Sequence, residues 1–327
     1  MTTSDWVEVA CAVLERADGQ FLLGRRAAGG VYAGHWEFPG GKLEAGETPR
    51  AALVRELREE LAIEARTLQP WLVREHLYPH AHVRLHFFRI PSWSGIGDLG
   101  KTMDDAPQAR VHAELAWMTP GAPPPQPMLP ANAPVLRALG LARVYALTHA
   151  TEYGIDGQLA RLDQALTLGH RLFLVREPGL PEADRTALAR QAVARAHAAG
   201  ATVLVHASAE LAEAVGADGL HWTAAQLRAA HARPPFAWLA ASCHDRAELE
   251  HAARLGVDFV VLGPVAASAS HPGMPGIGWP SFERLAAGLP MPVFALGGLG
   301  PGDLDLAAAH GAHGVAGIRR FWPGGER

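Results

Sequence analysis

The sequence predicts two domains of different class, an α+β domain over residues 1–142 followed by a (β/α)8 barrel of the TIM type over residues 143–327. Three observations predict them. A chain of 327 residues is long for one compact core and comfortable for two. Up to about Trp117, strand-like alternation surrounds one strong helix, which is the texture of an α+β fold. Beyond residue 142, eight short apolar runs are separated by Ala-rich helical segments, and parallel neighbours that need crossovers close most economically into a barrel.

In the first domain, "WVEVACAVLE" reads as a strand, and "HVRLHFFRI" alternates so that Val83, Leu85 and Phe87 share one face. Between them lies the helix. Thr48 is a good N-cap, Pro49 fits the first helical position, and "RAALVRELREEL" consists of strong helix formers. Leu53, Leu57 and Leu61 form its buried stripe. The Pro-rich piece "TPGAPPPQPMLPANAP" interrupts regular structure, and "PVLRALGL" forms a short closing helix.

In the second domain the candidate strands are "VYALT", "LFLV", "TVLVH", "DGLH", "FAWLAA", "FVVLG", "PVFAL" and "HGVAG". The longest connecting helix is expected in "PEADRTALARQAVARAHAAG", and the last helix is expected to be short or absent because the chain runs out in "RRFWPGGER". An open doubly wound sheet is the alternative topology.

Composition narrows the function classes. The 29 basic and 33 acidic residues nearly cancel, which argues against binding a nucleic-acid polymer or an anionic membrane. Small polyanions remain. Cys11 and Cys243 are the 2 cysteines, far apart and outside any metal-ligand spacing, so a reducing cytoplasm is the expected compartment. No stretch approaches the roughly 20 apolar residues of a membrane span.

The acidic helix carries the chemistry. Glu56, Glu59 and Glu60 stand three and four apart, so their carboxylates crowd one face and repel. A solvated helix face is the plain reading. A divalent cation would turn the repulsion into attraction, and oxygen-only donors without cysteine favour Mg²⁺, with Mn²⁺ as an alternative. The upstream residues favour the metal. From Gly41, "GKLEAGETPRAALVRELREELAI" runs Gly, five residues, Glu47, seven residues, Arg-Glu-Leu-x-Glu-Glu, then Ile63.

That pattern resembles the Nudix hydrolase box, with Ala62 where the family usually has Gly. The resemblance implies a hydrolase of phosphoric anhydrides. Glu56, Glu59 and Glu60 would bind the metal together with the Gly40 carbonyl, Glu56 would orient or deprotonate the attacking water, and Glu47 with Arg55 would be a supporting catalytic pair. The stretches "LLGRR", "HWEFPGGK" and "LPANAPV" resemble the MutT-type 8-oxo-dGTP diphosphatases from about Trp6 to Leu139. That likeness implies a nucleotide substrate, 8-oxo-dGTP, and a place in nucleotide-pool sanitation for DNA replication and repair. Arg25 or Arg26 would meet the phosphates, Phe38 would pack near the purine, and Asn132 would read the base edge. A further acidic ligand would come from Asp104, Asp105 or Glu114. The histidines His76, His80, His82 and His86 read as a solvated or site-rim strand face rather than a zinc site.

Residues 144–322 resemble the thiamine-phosphate synthase family through "YALT", "LVRE", "GADGLHW", "SCH", "GVDFVVLGPV", "PGIGW", "PVFALGGL" and "GAHGVAG". By that resemblance, Gly297, Gly298 and Gly317 would form a phosphate loop for a phosphorylated ligand. The family's catalytic positions have drifted. Pro178 replaces a Lys, His206 and Ala207 an Asn-Asp pair, Gln226 an Asp ligand and His271 a second Lys. The barrel is therefore a residual thiamine-phosphate enzyme, a phosphate-ligand sensor or a homodimerisation scaffold. His206, His221, His244 and His271 near strand ends leave different acid–base chemistry open. The fusion also raises a hydrolase of thiamine-pathway diphosphates as the alternative function.

Overall fold

The computed structural model describes residues 6–96, 106–267 and 275–324. It divides into two compact units, Met1–Leu141 and Ala142–Arg327.

In the first unit, β1 (Val7–Leu14), β4 (Gly40–Lys42), β5 (Ile63–Tyr78) and β6 (Ala81–Gly95) form a mixed sheet in the order β4-β1-β6-β5. β2 (Phe21–Arg25), β3 (Trp36–Glu37) and β7 (Glu114–Met118) form a second, antiparallel sheet in the order β3-β2-β7. Period-two alternation in β1 explains how the layers stack. Ala10, Ala12 and Leu14 join Leu53, Leu57 and Leu61 of α1 (Pro49–Leu61) in one core. Cys11 and Val13 point the other way, into a core with Phe21, Leu23, Trp36, Phe38, Phe87 and Val135. α2 (Ala133–Leu139) closes that second core through Val135, Ala138 and Leu139. Val83, Leu85 and Phe87 share the same buried face.

Helix α1 begins as its sequence dictates. The Thr48 hydroxyl accepts from the Ala51 N–H at 3.2 Å, and Pro49 occupies the first turn, where its missing N–H costs nothing. Its end is unusual. Ala62 caps the helix in the left-handed region at φ 54°, with its N–H on the Leu57 carbonyl. A Cβ is strained there. Ala62→Gly is accordingly expected to stabilise the protein by about 1 kcal/mol without altering catalysis, measurable as a shift of the urea midpoint.

The second unit is a closed parallel barrel of eight strands: β8 (Val144–Leu147), β9 (Leu172–Val175), β10 (Thr202–His206), β11 (Gly219–Trp222), β12 (Trp238–Cys243), β13 (Phe259–Leu262), β14 (Val293–Leu296) and β15 (Gly314–Gly317). Each coincides with or overlaps an apolar run read from the sequence, with β11 and β12 running on to Trp222 and Cys243, and the open-sheet alternative is ruled out by the β15–β8 pairing that closes the ring. The Glu182–Ala198 helix is the longest crossover, and the final connection shrinks to a short 3-10 turn, Arg319–Phe321. Tyr145, Phe259 and Phe294 fill the barrel axis as an aromatic cluster with ring centroids 5.3–5.8 Å apart. Among the described residues no helix is long and apolar enough to cross a membrane.

Candidate active site

The first site lies where α1 faces the glycine pair of β4. In the β1–β4 ladder, Ala10 stands opposite Gly41 and Cys11 opposite Gly40. Both glycines are crowded, Gly40 by backbone and Gly41 by the end of a side chain. A Cβ on Gly40 would lie 2.1 Å from the Ala10 carbonyl oxygen, and one on Gly41 would lie 2.1 Å from Glu56 Oε1. The turn therefore brings backbone and the Glu56 carboxylate into direct apposition.

Arg55 organises the acids. Its Nε and Nη2 donate to the two oxygens of Glu47 at 3.0 and 2.9 Å, Nη1 donates to Glu56 at 2.8 Å, and Nη1 reaches Glu59 at 3.4 Å. Nη2 also donates to the Lys42 carbonyl at 3.1 Å, tying the helix to the end of β4. This bidentate pairing holds the Glu47 carboxyl down to about 2. Glu60 turns elsewhere and accepts from the Gly40 N–H at 3.0 Å. Burial pushes the Glu60 carboxyl up to about 8, opposed by the Gly40 N–H and reinforced by the negative charges of Glu56 and Glu37. Glu59 is the exposed member, with 59% of its side chain accessible.

Among the described residues, no three His, Cys, Asp or Glu side chains stand close enough to hold a metal ion as arranged. The reason is electrostatic: Arg55 draws Glu56 and Glu59, and the Gly40 amide takes Glu60. The donor set itself, carboxylates beside a glycine backbone too close for a Cβ, fits a hard divalent cation rather than zinc.

A buried group that the sequence reading missed extends the site. Arg26 donates to Glu37 at 2.7 Å, and His112 Nε2 lies 3.8 Å from the other oxygen of Glu37. Burial raises the Glu37 carboxyl, with Arg26 opposing, and burial lowers His112, helped by the Arg26 charge. Charge effects on Glu60 from both Glu37 and Arg26 place this cluster beside the acidic helix. One signal pointed to it. A glycine inside an apolar strand, Gly24 in "FLLGR", marks a close approach, and a Cβ there would fall 2.3 Å from the His112 ring.

Three expected site residues sit differently. Arg25 is opposite Glu114 in the β2–β7 register, and the two form a 3.0 Å ion pair, so Arg26 rather than Arg25 accompanies the acids. The same pair engages Glu114 and leaves it half exposed. Phe38 is buried in the core, 5.9 Å from Phe21 and 5.5 Å from Phe87 by ring centroid, so packing removes its face from a purine. Asp104 and Asp105 lie outside the described residues. Asn132 is buried, with its amide 3.7 Å from Met128 Sδ. It is positioned by the Pro-rich stretch, which runs along β3: the Trp36 N–H donates to the Pro127 carbonyl at 2.8 Å and the Leu129 N–H to the Trp36 carbonyl at 3.1 Å. Tyr78 is bonded to the Ala131 backbone beside it. His86 and Arg84 both engage Glu8, at 2.6 and 2.9 Å, while His76 and His80 stand against the Tyr78 ring at centroid distances of 4.4 and 5.6 Å, so the histidines belong to a polar and aromatic face.

The second site is a cavity of about 1010 Å³ at the carboxyl ends of the barrel strands. Gly297, Gly298 and Gly317 line it, as do Arg176, His206, His221, Ser242 and His244. His271 lies outside the described residues. Packing explains the glycines, since a Cβ on Gly297 would strike Pro264 at 2.6 Å and one on Gly317 the Phe321 ring at 2.2 Å. His221 bridges two hydroxyls, Nδ1 to Tyr145 at 3.1 Å and Nε2 to Ser242 at 3.0 Å. Burial drives His221 down to about 3 and His206 down to about 4, so both rings are neutral at pH 7.

Comparison with known proteins agrees with the two-part architecture. The family model "Thiamine monophosphate synthase" matches residues 144–321, and the family model "NUDIX domain" matches residues 10–138. The CTP pyrophosphohydrolase of Escherichia coli (strain K12) is 40% identical over 138 residues, covering 40% of this chain and 90% of that protein. The 8-oxo-dGTP diphosphatase of the same organism is 36% identical over 89 residues, covering 27% of this chain and 69% of that protein. A solved thiamine phosphate pyrophosphorylase from Pyrococcus furiosus is 20% identical with a TM-score of 0.46, covering 54% of this chain and 85% of that one. The chain thus belongs to the Nudix hydrolases in its first domain and to the thiamine monophosphate synthase family in its barrel.

Proposed function

We propose that the first domain is a Mg²⁺-dependent nucleoside triphosphate pyrophosphohydrolase that converts 8-oxo-dGTP and water into 8-oxo-dGMP and pyrophosphate. The observation that carries the reading is the Glu47–Arg55–Glu56 array set against a glycine pair, with Glu60 buried beside it. Glu56, Glu59, Glu60 and the Gly40 carbonyl would hold the cation. When bound, it would neutralise phosphate oxygens and lower the pKa of a bound water.

The protein's own groups do the rest. Glu56, kept in place by Arg55 from one side and the Gly41 backbone from the other, takes the proton of the attacking water. Glu47 stays ionised and so keeps the Arg55 guanidinium fixed. Arg26, held by Glu37, supplies positive charge for the departing phosphates. Asn132 offers one donor and one acceptor to a purine edge, which suits a base whose N7 carries a hydrogen.

A second reading, CTP as substrate, is favoured by the 40% identity to the CTP pyrophosphohydrolase. Steady-state kinetics on 8-oxo-dGTP, dGTP, CTP and dCTP, with and without EDTA, separate the two. The first reading expects kcat/KM for 8-oxo-dGTP to exceed that for dGTP by at least about 10²-fold, and Asn132→Ala to erase the difference. Equal values for 8-oxo-dGTP and dGTP overturn it, and CTP as the best substrate establishes the second. Activity that survives EDTA removes the metal from both.

A further inference from the structure

The barrel of this family implies a divalent cation beneath a pyrophosphate, and the residues here do not fit one. The positions of the family's metal carboxylates are Ala207 and Gln226. The side-chain oxygen of Gln226 is occupied within the protein: Oε1 accepts from the Thr223 N–H at 3.0 Å and the Thr223 hydroxyl at 3.2 Å, while Nε2 donates to the Ala207 carbonyl at 2.7 Å. The two positions are thus tied to each other by a hydrogen bond, and the amide that replaces the carboxylate caps the Ala224–Ala229 helix. Ala207 adopts φ 63° to complete this clamp, a strained conformation for a residue with a Cβ. No Asp or Glu is among the described residues lining the cavity. Glu177, next to Arg176, is buried and accepts from the Ala150 N–H at 2.7 Å.

The cations of the cavity are arranged for an anion. Arg319 is neutralised by Glu152 at 2.9 Å, and Arg320 donates to the Gly298 carbonyl at 3.3 Å. Arg176 has no acidic partner within salt-bridge distance among the described residues. It lines the cavity beside His206 and His221, whose rings burial keeps neutral, whereas Arg319 and Arg320 have acidic neighbours in Glu152 and, at 3.7 Å, Asp303. An unpaired guanidinium in a partly enclosed space is stabilised strongly by a bidentate oxyanion, more so than the same pair in bulk water.

We infer that the barrel cavity binds a small phosphorylated anion without a divalent cation, with Arg176 supplying the charge that a metal supplies elsewhere in the family. The Gln226–Ala207 clamp engages the oxygens of both positions within the protein and brings no carboxylate to a cation. The ligand class is a compact phosphate or pyrophosphate ester, small enough for a cavity of about 1010 Å³.

Isothermal titration of the full chain with inorganic pyrophosphate and with inorganic phosphate tests this, each in EDTA, which also removes metal from the hydrolase domain. Binding of at least one probe at one site per chain is expected, weakened about tenfold or more in Arg176→Ala and largely retained in Arg176→Lys. Arg176→Gln serves if the Ala variant loses its far-ultraviolet dichroism. In the double variant Ala207→Asp with Gln226→Asp, affinity in EDTA is expected to fall and to return on adding Mg²⁺. Absence of binding by both probes in EDTA, or equal affinity in wild type and Arg176→Ala, overturns the inference. These arms leave the nucleotide reading of the first domain untouched, because none of them measures hydrolysis.

Discussion

Glu56→Gln is expected to lower kcat for nucleotide hydrolysis by about 10³-fold, with the thermal midpoint unchanged or raised. The direction on stability follows from the acid cluster. Glu56 is one of the charges that push Glu60 up to about 8, so removing it relieves repulsion in the metal-free protein. Gln keeps the volume and can still accept from Arg55, while Arg55 retains its bidentate hold on Glu47. Catalysis responds differently, because an amide cannot take a proton from water and is a poorer ligand for a hard cation. Steady-state kinetics at saturating Mg²⁺ beside a thermal melt measures both quantities. A variant that keeps more than a tenth of the wild-type kcat removes Glu56 from the proposed role. A parallel loss of stability would mean that the carboxylate is structural.

What the sequence made legible was local. Thr48, Pro49 and the Leu53-Leu57-Leu61 stripe define α1 within 14 consecutive residues, and the structure has that helix from Pro49 to Leu61. The barrel strands are short apolar runs bounded by turn residues, and each needs only its own neighbours to be recognised. β5 was not legible. Pro70 lies inside it, and its pairing with β6 shifts register between Ala65 and Thr67, between Thr67 and Gln69, and between Pro70 and Leu72, so no steady alternation survives in the sequence.

The site divides the same way. Glu47, Arg55, Glu56, Glu59 and Glu60 belong to one motif, and their mutual distances follow from a turn and a helix. Arg26, Glu37 and His112 come together through the pairing of β2 with β3 and β7, which are distant in sequence, and Glu60 joins them from α1, so nothing in their spacing along the chain announces the cluster. The choice of Arg26 over Arg25 has a simple cause. Arg25 is still in register with Glu114 on β7, whereas Arg26 is the first residue past the strand and is free to turn to Glu37. Gln226 reads as a lost ligand in the sequence, and its bond to Ala207, 19 residues away, shows what took the ligand's place.

The glycine pair of β4 yields the sharpest separation of stability from activity. Gly40→Ala is expected to destabilise the first domain by about 3 kcal/mol or more. Its Cβ would lie 2.1 Å from the Ala10 carbonyl oxygen and 3.1 Å from the Cys11 Cα, both backbone atoms of β1, and its φ of 136° is one that a side chain rarely tolerates. β4 would have to part from β1, and with it the Gly40 N–H that holds Glu60. Gly41→Ala meets a different obstacle, the Oε1 of Glu56 at 2.1 Å, which is the mobile end of a side chain. That carboxylate can swing away at a cost of about 1 kcal/mol or less, so the fold survives. The displaced carboxylate is the one proposed to activate water, so kcat should fall about as far as in Glu56→Gln, about 10³-fold. Urea unfolding and steady-state kinetics on both variants give the comparison. A Gly41→Ala protein that is fully active would show that Glu56 works from a position other than the one beside Gly41, and the proposed path of the proton would fail with it.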